Sequence, residues 1–394
     1  MDVVIFNLDM ELETKLKILS DSAKYDICGD CFISREVKRV SPVTLNQWIY
    51  PTMLPDGRKV KLFKVLMSNA CENDCAYCPF NAYRRFKRTS FTKEELATYF
   101  MELVRKGIVS GLFLSSGIRG NPEKTMQEMI ETVEIIRKKY QFRGYIHLKI
   151  LPGVSRQTIE EAFRLASRIS INLEVPDERF FKGISQKKKF SEYLLSPLLY
   201  IDKLKREAPP FFLKDGFTTQ FVVGVSGERD IDILKRVWDL YARTSISRVY
   251  YSAFHPIPGT PLESKEPTPP LREHRLYQVD YLFRKYGFEL DELVFSENGN
   301  LILDRDPKTL WAMKNRWFFP VEINRADYEG LIRVPGIGPK TAKKIIKLRQ
   351  IKKIKSEEEF LKIGKGLQKS LPYITISGQI PYSQRKKIVI STLF

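Results

Sequence analysis

Lys61-Leu-Phe-Lys-Val-Leu-Met67-Ser-Asn-Ala-Cys71-Glu-Asn-Asp-Cys75-Ala-Tyr-Cys78 sets the terms on which the rest of the chain is read. Its first seven residues, Lys61–Met67, are apolar enough to form a buried strand. Directly after that strand, spacings of four and three place three thiols on one tight loop. Three thiolates can hold three irons of a four-iron cube, which leaves the fourth iron without a protein ligand and open to chelate a small molecule. A structural zinc site closes with four ligands, and a catalytic one draws on a nearby His. The three histidines of the chain, His147, His255 and His274, all lie far from the loop in sequence.

Outward from this segment, short apolar runs alternate with helical patterns. Strands are expected at Lys61–Met67, Gly111–Ser115, Tyr145–Ile150, Ile169–Glu174, Thr219–Val223 and Val249–Ala253. Helices are expected between them, at Lys93–Arg105, Lys124–Tyr140 and Arg156–Ala166. Six β-α repeats imply an α/β fold with a parallel sheet. The pattern fits a partial barrel or a doubly wound sheet, and in both the carboxyl ends of the strands carry the chemistry. Before it, Leu12, Leu16, Leu19 and Ala23 stand at helical spacing, and Pro51–Lys59 reads as a loop. The expected organisation is an N-terminal segment (1–60), an α/β region (61–290), a linker (291–324) and a C-terminal domain (325–394).

The 394-residue chain carries a formal net charge of +19. From Arg325 to Phe394 there are 16 Lys and Arg against 5 Asp and Glu, so this short region holds more than half of the excess. Such clustering points to a polyanion, nucleic acid in the first instance, rather than to a uniformly basic surface. Five cysteines in a long chain exclude a disulfide framework. Met1–Met10 has no basic residue ahead of its apolar stretch and does not read as a signal peptide. With no run of about 18 apolar residues, no membrane span is expected, and the chain is expected in the cytoplasm.

The Cys71, Cys75, Cys78 pattern, with the aromatic Tyr77 before the last cysteine, resembles the signature of the radical S-adenosylmethionine (SAM) superfamily. The resemblance implies a partial (β/α)6 TIM-like barrel, a [4Fe–4S] cluster on the three cysteines, and SAM on the open iron. It also implies cleavage of SAM to a 5′-deoxyadenosyl radical that takes hydrogen from a substrate, and an electron donor such as flavodoxin or ferredoxin. Ser115-Ser116-Gly117 falls where related enzymes have a turn contacting the SAM amine. Asn172 and Glu174 stand two apart on the fourth expected strand and so on one face. Val223-Gly224-Val-Ser-Gly-Glu228 resembles, imperfectly, the superfamily's adenine-contacting segment. The expected cofactor contacts are therefore Tyr77, Ser115, Ser116, Gly117, Asn172, Glu174, Gly224 and Glu228. Phe254-His-Pro-Ile-Pro-Gly-Thr-Pro261 is similar to segments of tRNA-modifying members, and Lys149 ends the third strand.

Leu331-Ile-Arg-Val-Pro-Gly336-Ile337-Gly338-Pro-Lys340-Thr-Ala342-Lys343-Lys344-Ile345-Ile-Lys347 resembles a helix-hairpin-helix. The glycines permit a tight turn, Ile337 plugs the hairpin, and backbone N–H groups at the second helix's start suit a phosphate oxygen. Lys340, Lys343, Lys344 and Lys347 add counter-charge without reading sequence. Residues 356–378 suggest a degenerate second hairpin around Gly364-Lys-Gly366. Beside the cysteine loop, Arg84, Arg85, Lys87 and Arg88 are further candidates for a nucleic-acid backbone. Together with Ala23-Lys-Tyr25-Asp26…Cys28, these features resemble the DNA modification/repair radical SAM proteins. That resemblance implies a DNA nucleotide as substrate and a uracil-DNA glycosylase-like partner. The alternatives are a tRNA-modifying enzyme and a non-catalytic DNA-binding protein with a structural cluster. Cys28-Gly-Asp-Cys31 could help ligate an auxiliary cluster, form a redox pair or be inert; two ligands are too few for a self-contained cluster, and the inert or structural reading is preferred.

Overall fold

Helix α1 (Met10–Ser22) buries Leu16 and Leu19, with Ala23 just beyond it, on the side the sequence spacing indicates. It opens a computed structural model that describes residues 10–23, 49–53 and 57–384. Strands β1 (Ile49–Met53) and β2 (Lys59–Leu66) follow, then α2 (Lys93–Arg105), β3 (Gly111–Ser115), α3 (Pro122–Glu134), β4 (Tyr145–Lys149) and α4 (Arg156–Leu165). Next come β5 (Arg168–Ser170), α5 (Glu178–Phe181), α6 (Ser196–Glu207), β6 (Phe217–Val223), α7 (Asp230–Arg243) and β7 (Arg248–Ala253). The starts are written in the sequence: Thr92 caps α2 with Glu95 in a reciprocal capping box, while Asn121 and Ser155 cap α3 and α4.

The seven strands lie in chain order, β1 antiparallel to β2 and β2 through β7 all parallel. Parallel neighbours taken in order require a right-handed crossover each time, so the sheet curls into a half-barrel with its helices outside. Every residue of β3 and β6 is buried, as expected of strands covered on both faces.

Three expectations are corrected here. Part of the expected loop Pro51–Lys59 is β1, an edge strand that tolerates Pro51 because only β2 pairs with it. The expected strand Ile169–Glu174 ends early: β5 stops at Ser170, and Glu174 has φ of 67°. Asn172 and Glu174 are therefore not alternate residues on one strand face. The helix expected to run to Tyr140 changes to a π turn over Ile135–Lys139.

The described residues fall into two compact units, and the second comprises residues 229–238 and those from Pro270 onward. That unit contains α8 (Pro270–Tyr286), α9 (Pro307–Lys314), β8 (Val321–Glu322), α10 (Tyr328–Arg333), α11 (Pro339–Ile351), α12 (Glu357–Leu361) and β9 (Ile374–Thr375), with β8 and β9 paired in parallel. Its core gathers Val321, Ile323, Leu331, Ile337, Ala342, Ile345, Phe360 and Leu367. Among the described residues, no helix is long and apolar enough to cross a membrane.

Candidate functional site

The cysteine loop leaves the carboxyl end of β2. Cys75 is buried, Cys71 and Cys78 are half-buried, and all three are free thiols. They stand close enough that a charge on one raises its neighbours: burial pushes the Cys75 and Cys78 thiols up, and the adjoining thiolates push further. Among the described residues no three His, Cys, Asp or Glu side chains close around a single metal ion. Three thiols gathered on one loop, with no His beside them in sequence, suit a cluster with one open iron better than a closed four-ligand zinc site. The Ile118 amide donates to the Cys71 sulfur at 3.4 Å, the kind of contact that stabilises a thiolate.

Three segments fasten this loop. The first is the turn after β3. Gly117 N–H donates to the Ser68 carbonyl at 2.7 Å and Glu72 N–H to the Ile118 carbonyl at 2.8 Å. A Cβ on Gly117 would lie 2.3 Å from the Ala70 oxygen, so only glycine lets the two backbones approach this far. The second is the stretch after α5. Ala76 N–H donates to the Ile184 carbonyl at 2.8 Å and Gln186 N–H to Asp74 at 2.8 Å; the Ser185 hydroxyl also donates to Asp74, and Lys187 Nζ reaches the Glu72 carbonyl at 2.6 Å. The third follows β7. Arg84 Nε donates to the Pro258 carbonyl at 2.9 Å, and Leu262 N–H to the Ala76 carbonyl at 3.3 Å.

Beside the cysteines stand Tyr77, Glu174 and Lys188. The Tyr77 hydroxyl bonds to Glu174; burial first, and then the Glu174 charge, push that phenol well above its ordinary range. Lys188 bonds to Cys75. Burial opposes its charge, but Cys75, Glu174 and Cys71 outweigh burial and hold its affinity for the proton above normal. Lys188 is not singled out by the sequence, since Lys187, Lys188 and Lys189 are indistinguishable by composition.

The other expected contacts are distributed as follows. Ser115 is buried at the end of β3, and the Ser116 hydroxyl donates to the Gly117 carbonyl at 2.7 Å. Asn172 is half-buried beyond β5. Glu228 is buried with its carboxylate accepting from the amides of Gly224 and Ser226, so it closes the turn after β6 in which Gly224 has φ of 84°. Of the basic run, Arg85 and Lys87 are exposed, whereas Arg84 and Arg88 serve the loop itself. Arg88 donates to the Asn81 carbonyl at 2.9 Å and lies 4.3 Å from the Phe86 ring centre. Cys28, Cys31 and the Lys24–Asp26 part of the family pattern lie outside the described residues.

In the second unit, α10 and α11 form the hairpin. Ile337 is fully buried between them with Ala342 and Ile345. Gly338 caps α11 without a side-chain bond and Pro339 has no amide, so the first turn of α11 is left without a side-chain acceptor. Lys340, Lys343 and Lys347 are exposed, while Lys344 Nζ donates to the Ile363 carbonyl at 2.6 Å and braces the following loop. Gly336, at φ of 86°, faces that loop too: a Cβ there would meet Ser370 Oγ at 2.6 Å. Lys308 was not anticipated. It is buried, donates to the Ile337 carbonyl at 2.6 Å, and packs 4.6 Å from the Tyr286 ring centre.

Residues 65–237 match the Radical SAM superfamily, and residues 319–371 match the helix-hairpin-helix motif. A biotin synthase from Thermodesulfovibrio yellowstonii is 25% identical over 237 residues, which is 56% of this chain and 66% of that protein. Among solved structures, the FeFe-hydrogenase maturase HydG from Carboxydothermus hydrogenoformans is 15% identical, covers 55% of this chain and 49% of its own, and superposes with a TM-score of 0.45. Methylornithine synthase (PylB) is 16% identical, with coverages of 68% and 66% and a TM-score of 0.43. The chain spans about half of HydG and just under two thirds of the biotin synthase. It carries a radical SAM domain, whose cofactors are a [4Fe–4S] cluster and SAM.

Proposed function

We propose that the chain is a radical SAM enzyme that modifies or repairs a nucleotide in DNA. The observation that supports this most directly is the joint presence, in one polypeptide, of a cysteine loop clamped by three segments and a helix-hairpin-helix with an open helix start and exposed lysines. When bound, the cluster and SAM supply a 5′-deoxyadenosyl radical able to take a hydrogen atom from an unactivated carbon.

The chain's own residues have separate tasks in this reading. Cys71, Cys75 and Cys78 hold the cluster, and Gly117 and Ile118 fix Cys71. Tyr77, Ser115, Ser116, Gly117, Asn172, Glu174, Gly224 and Glu228, at or beyond the carboxyl ends of their strands, orient SAM; Glu228 does so by setting the turn that presents Gly224. The amides of Lys340 and Thr341, with Lys340, Lys343 and Lys347, grip backbone phosphate. The target nucleotide leaves its stack to reach the strand ends, which costs least where it is unpaired or damaged. Arg85 and Lys87, exposed beside the cysteine loop, offer charge to a nucleic-acid backbone, and Arg84 and Arg88 keep their loop rigid. A flavodoxin or ferredoxin as electron donor, a uracil-DNA glycosylase-like partner and a cytoplasmic setting complete the reading.

The test is 5′-deoxyadenosine release by reconstituted protein with dithionite and SAM, alone and with duplex DNA, single-stranded DNA or tRNA. Stimulation by DNA that disappears in Lys340→Gln/Lys343→Gln/Lys347→Gln is the expected result. Stimulation by tRNA alone replaces DNA with tRNA as the substrate. DNA binding with no release under any condition leaves a DNA-binding protein with a structural cluster.

A further inference from the structure

The half-barrel has a second concave surface, at the end of the sheet opposite the cysteine loop. Its residues all precede strands: 137–143 come before β4, 164–167 before β5 and 211–214 before β6. The cavity measures about 610 Å³, within the range of small-molecule sites. Arg137, Lys138, Arg143, Arg164 and Lys214 line it, and no acidic side chain does.

The charge in this basin is poorly offset. Lys138 and Arg164 are paired along their own helices with Glu134 at 2.7 Å and Glu160 at 3.2 Å. Arg137 reaches only neutral acceptors: the carbonyls of Leu165 at 3.1 Å, Phe142 at 2.8 Å and Gly144 at 2.8 Å, and the Ser167 hydroxyl at 3.3 Å. Burial, with the Arg143 charge beside it, pulls the Arg137 guanidinium down to about 10. Arg143 and Lys214 are exposed and have no acidic partner among the described residues. At the rim, Phe211 is 72% exposed, its ring centre 4.6 Å from that of Phe212.

We propose that this basin binds a nucleotide, its phosphates on Arg137, Arg143 and Lys214 and its base on the exposed face of Phe211. A phosphate supplies the countercharge that Arg137 and Arg143 lack: the exposed Arg143 and Lys214 donate to it, while Arg137, four of whose N–H groups already go to carbonyls and Ser167, adds its charge and its remaining N–H. An exposed ring beside cations is the ordinary platform for a base. The site lies at the amino ends of the strands, where a barrel does not conduct its chemistry, so the nucleotide acts as an effector or a tether rather than as the reacting group. Nucleoside phosphate can come from a free nucleotide or from one link of a single strand.

Isothermal titration of the full chain with inorganic pyrophosphate, ATP and a short oligothymidylate distinguishes the sources. Arg143→Gln/Lys214→Gln changes only exposed side chains and leaves the barrel folded, as its melting temperature will show. Saturable binding of pyrophosphate and ATP to the wild type, weakened about tenfold or more by this pair, is expected and identifies a free nucleotide. Binding of the oligonucleotide alone, equally weakened, identifies a strand. Phe211→Ala is expected to weaken ATP and leave pyrophosphate unchanged. Absence of saturable binding by all three probes, or wild-type affinity in the double variant, overturns the proposal.

Discussion

Gly117→Ala is a small change that reaches the proposed cluster site. The added methyl would stand 2.3 Å from the Ala70 oxygen, 3.0 Å from the Ala70 carbonyl carbon and 3.1 Å from Cys71 Cβ. An ordinary contact begins near 3.4 Å, so the backbone ahead of Cys71 must retreat by about 1 Å. No side-chain rotation can relieve this, because the nearest atoms are main chain. Overpacking of this kind costs about 1–3 kcal/mol, or about 2–6 °C in melting temperature for a unit of this size. The retreat also pulls Cys71 from the Ile118 amide, now at 3.4 Å, and Glu72 from the Ile118 carbonyl, now at 2.8 Å. After anaerobic reconstitution, iron content and visible absorbance are expected to fall well below wild type. Gly183→Ala, which meets nothing within 4 Å, is the control and keeps both. A Gly117→Ala protein with wild-type melting and a full complement of iron would refute the reasoning.

Alanine at Cys71, Cys75 or Cys78 is expected to abolish the cluster absorbance, while alanine at Cys28 or Cys31 leaves about four irons per chain, measured by iron assay. Gly336→Val is expected to lower the melting temperature as well as DNA affinity, because its side chain drives into Ser370 and the Gly366 carbonyl; anisotropy and thermal melting read the two effects separately, and a loss of affinity at wild-type stability contradicts this placement. Lys308 gives a pH dependence. Burial, with Arg333 adding and Asp306 opposing, brings its pKa from 10.5 to about 7. The unfolded chain therefore holds more protons between those values, and stability rises with pH across that window. From pH 7 to 9 the gain is on the order of 2 kcal/mol. Lys308→Met removes this slope from the stability curve, and an unchanged slope shows that Lys308 is not its source.

The cysteine-loop end of the barrel was legible because its signals are local. A strand running into a fixed cysteine spacing, Gly111–Ser115 with its small-residue turn, and capped helices each declare themselves within a dozen residues. The hairpin was legible for the same reason: Gly336, Ile337 and Gly338 stand side by side. What escaped was long-range. Lys188 meets Cys75 across more than a hundred positions, and Arg84 meets Pro258 across 174. Nothing in a basic residue's neighbours reveals that its partner is a carbonyl on another loop. Arg84 and Arg88, read as candidates for a nucleic-acid backbone, also act as struts of their own loop, and Lys308, not singled out by the sequence, lies beneath the hairpin. The short β5 failed for a different reason: Ile171 and Leu173 are as buried as strand residues, so apolar alternation continues past the end of the regular strand, where contact with β6 persists only as single bonds and a bridge at Glu174.

The three fastenings of the cysteine loop also set a timetable. Cys71, Cys75 and Cys78 leave the ribosome early, but the residues that hold them arrive in instalments at 117–118, 184–188 and finally 258–262. Until the last of these has been made, the loop lacks one of its supports and its thiols lie open to oxidation and to stray metal. A cluster held by these cysteines would thus be braced from all three sides only once the whole barrel, through Leu262, has been made.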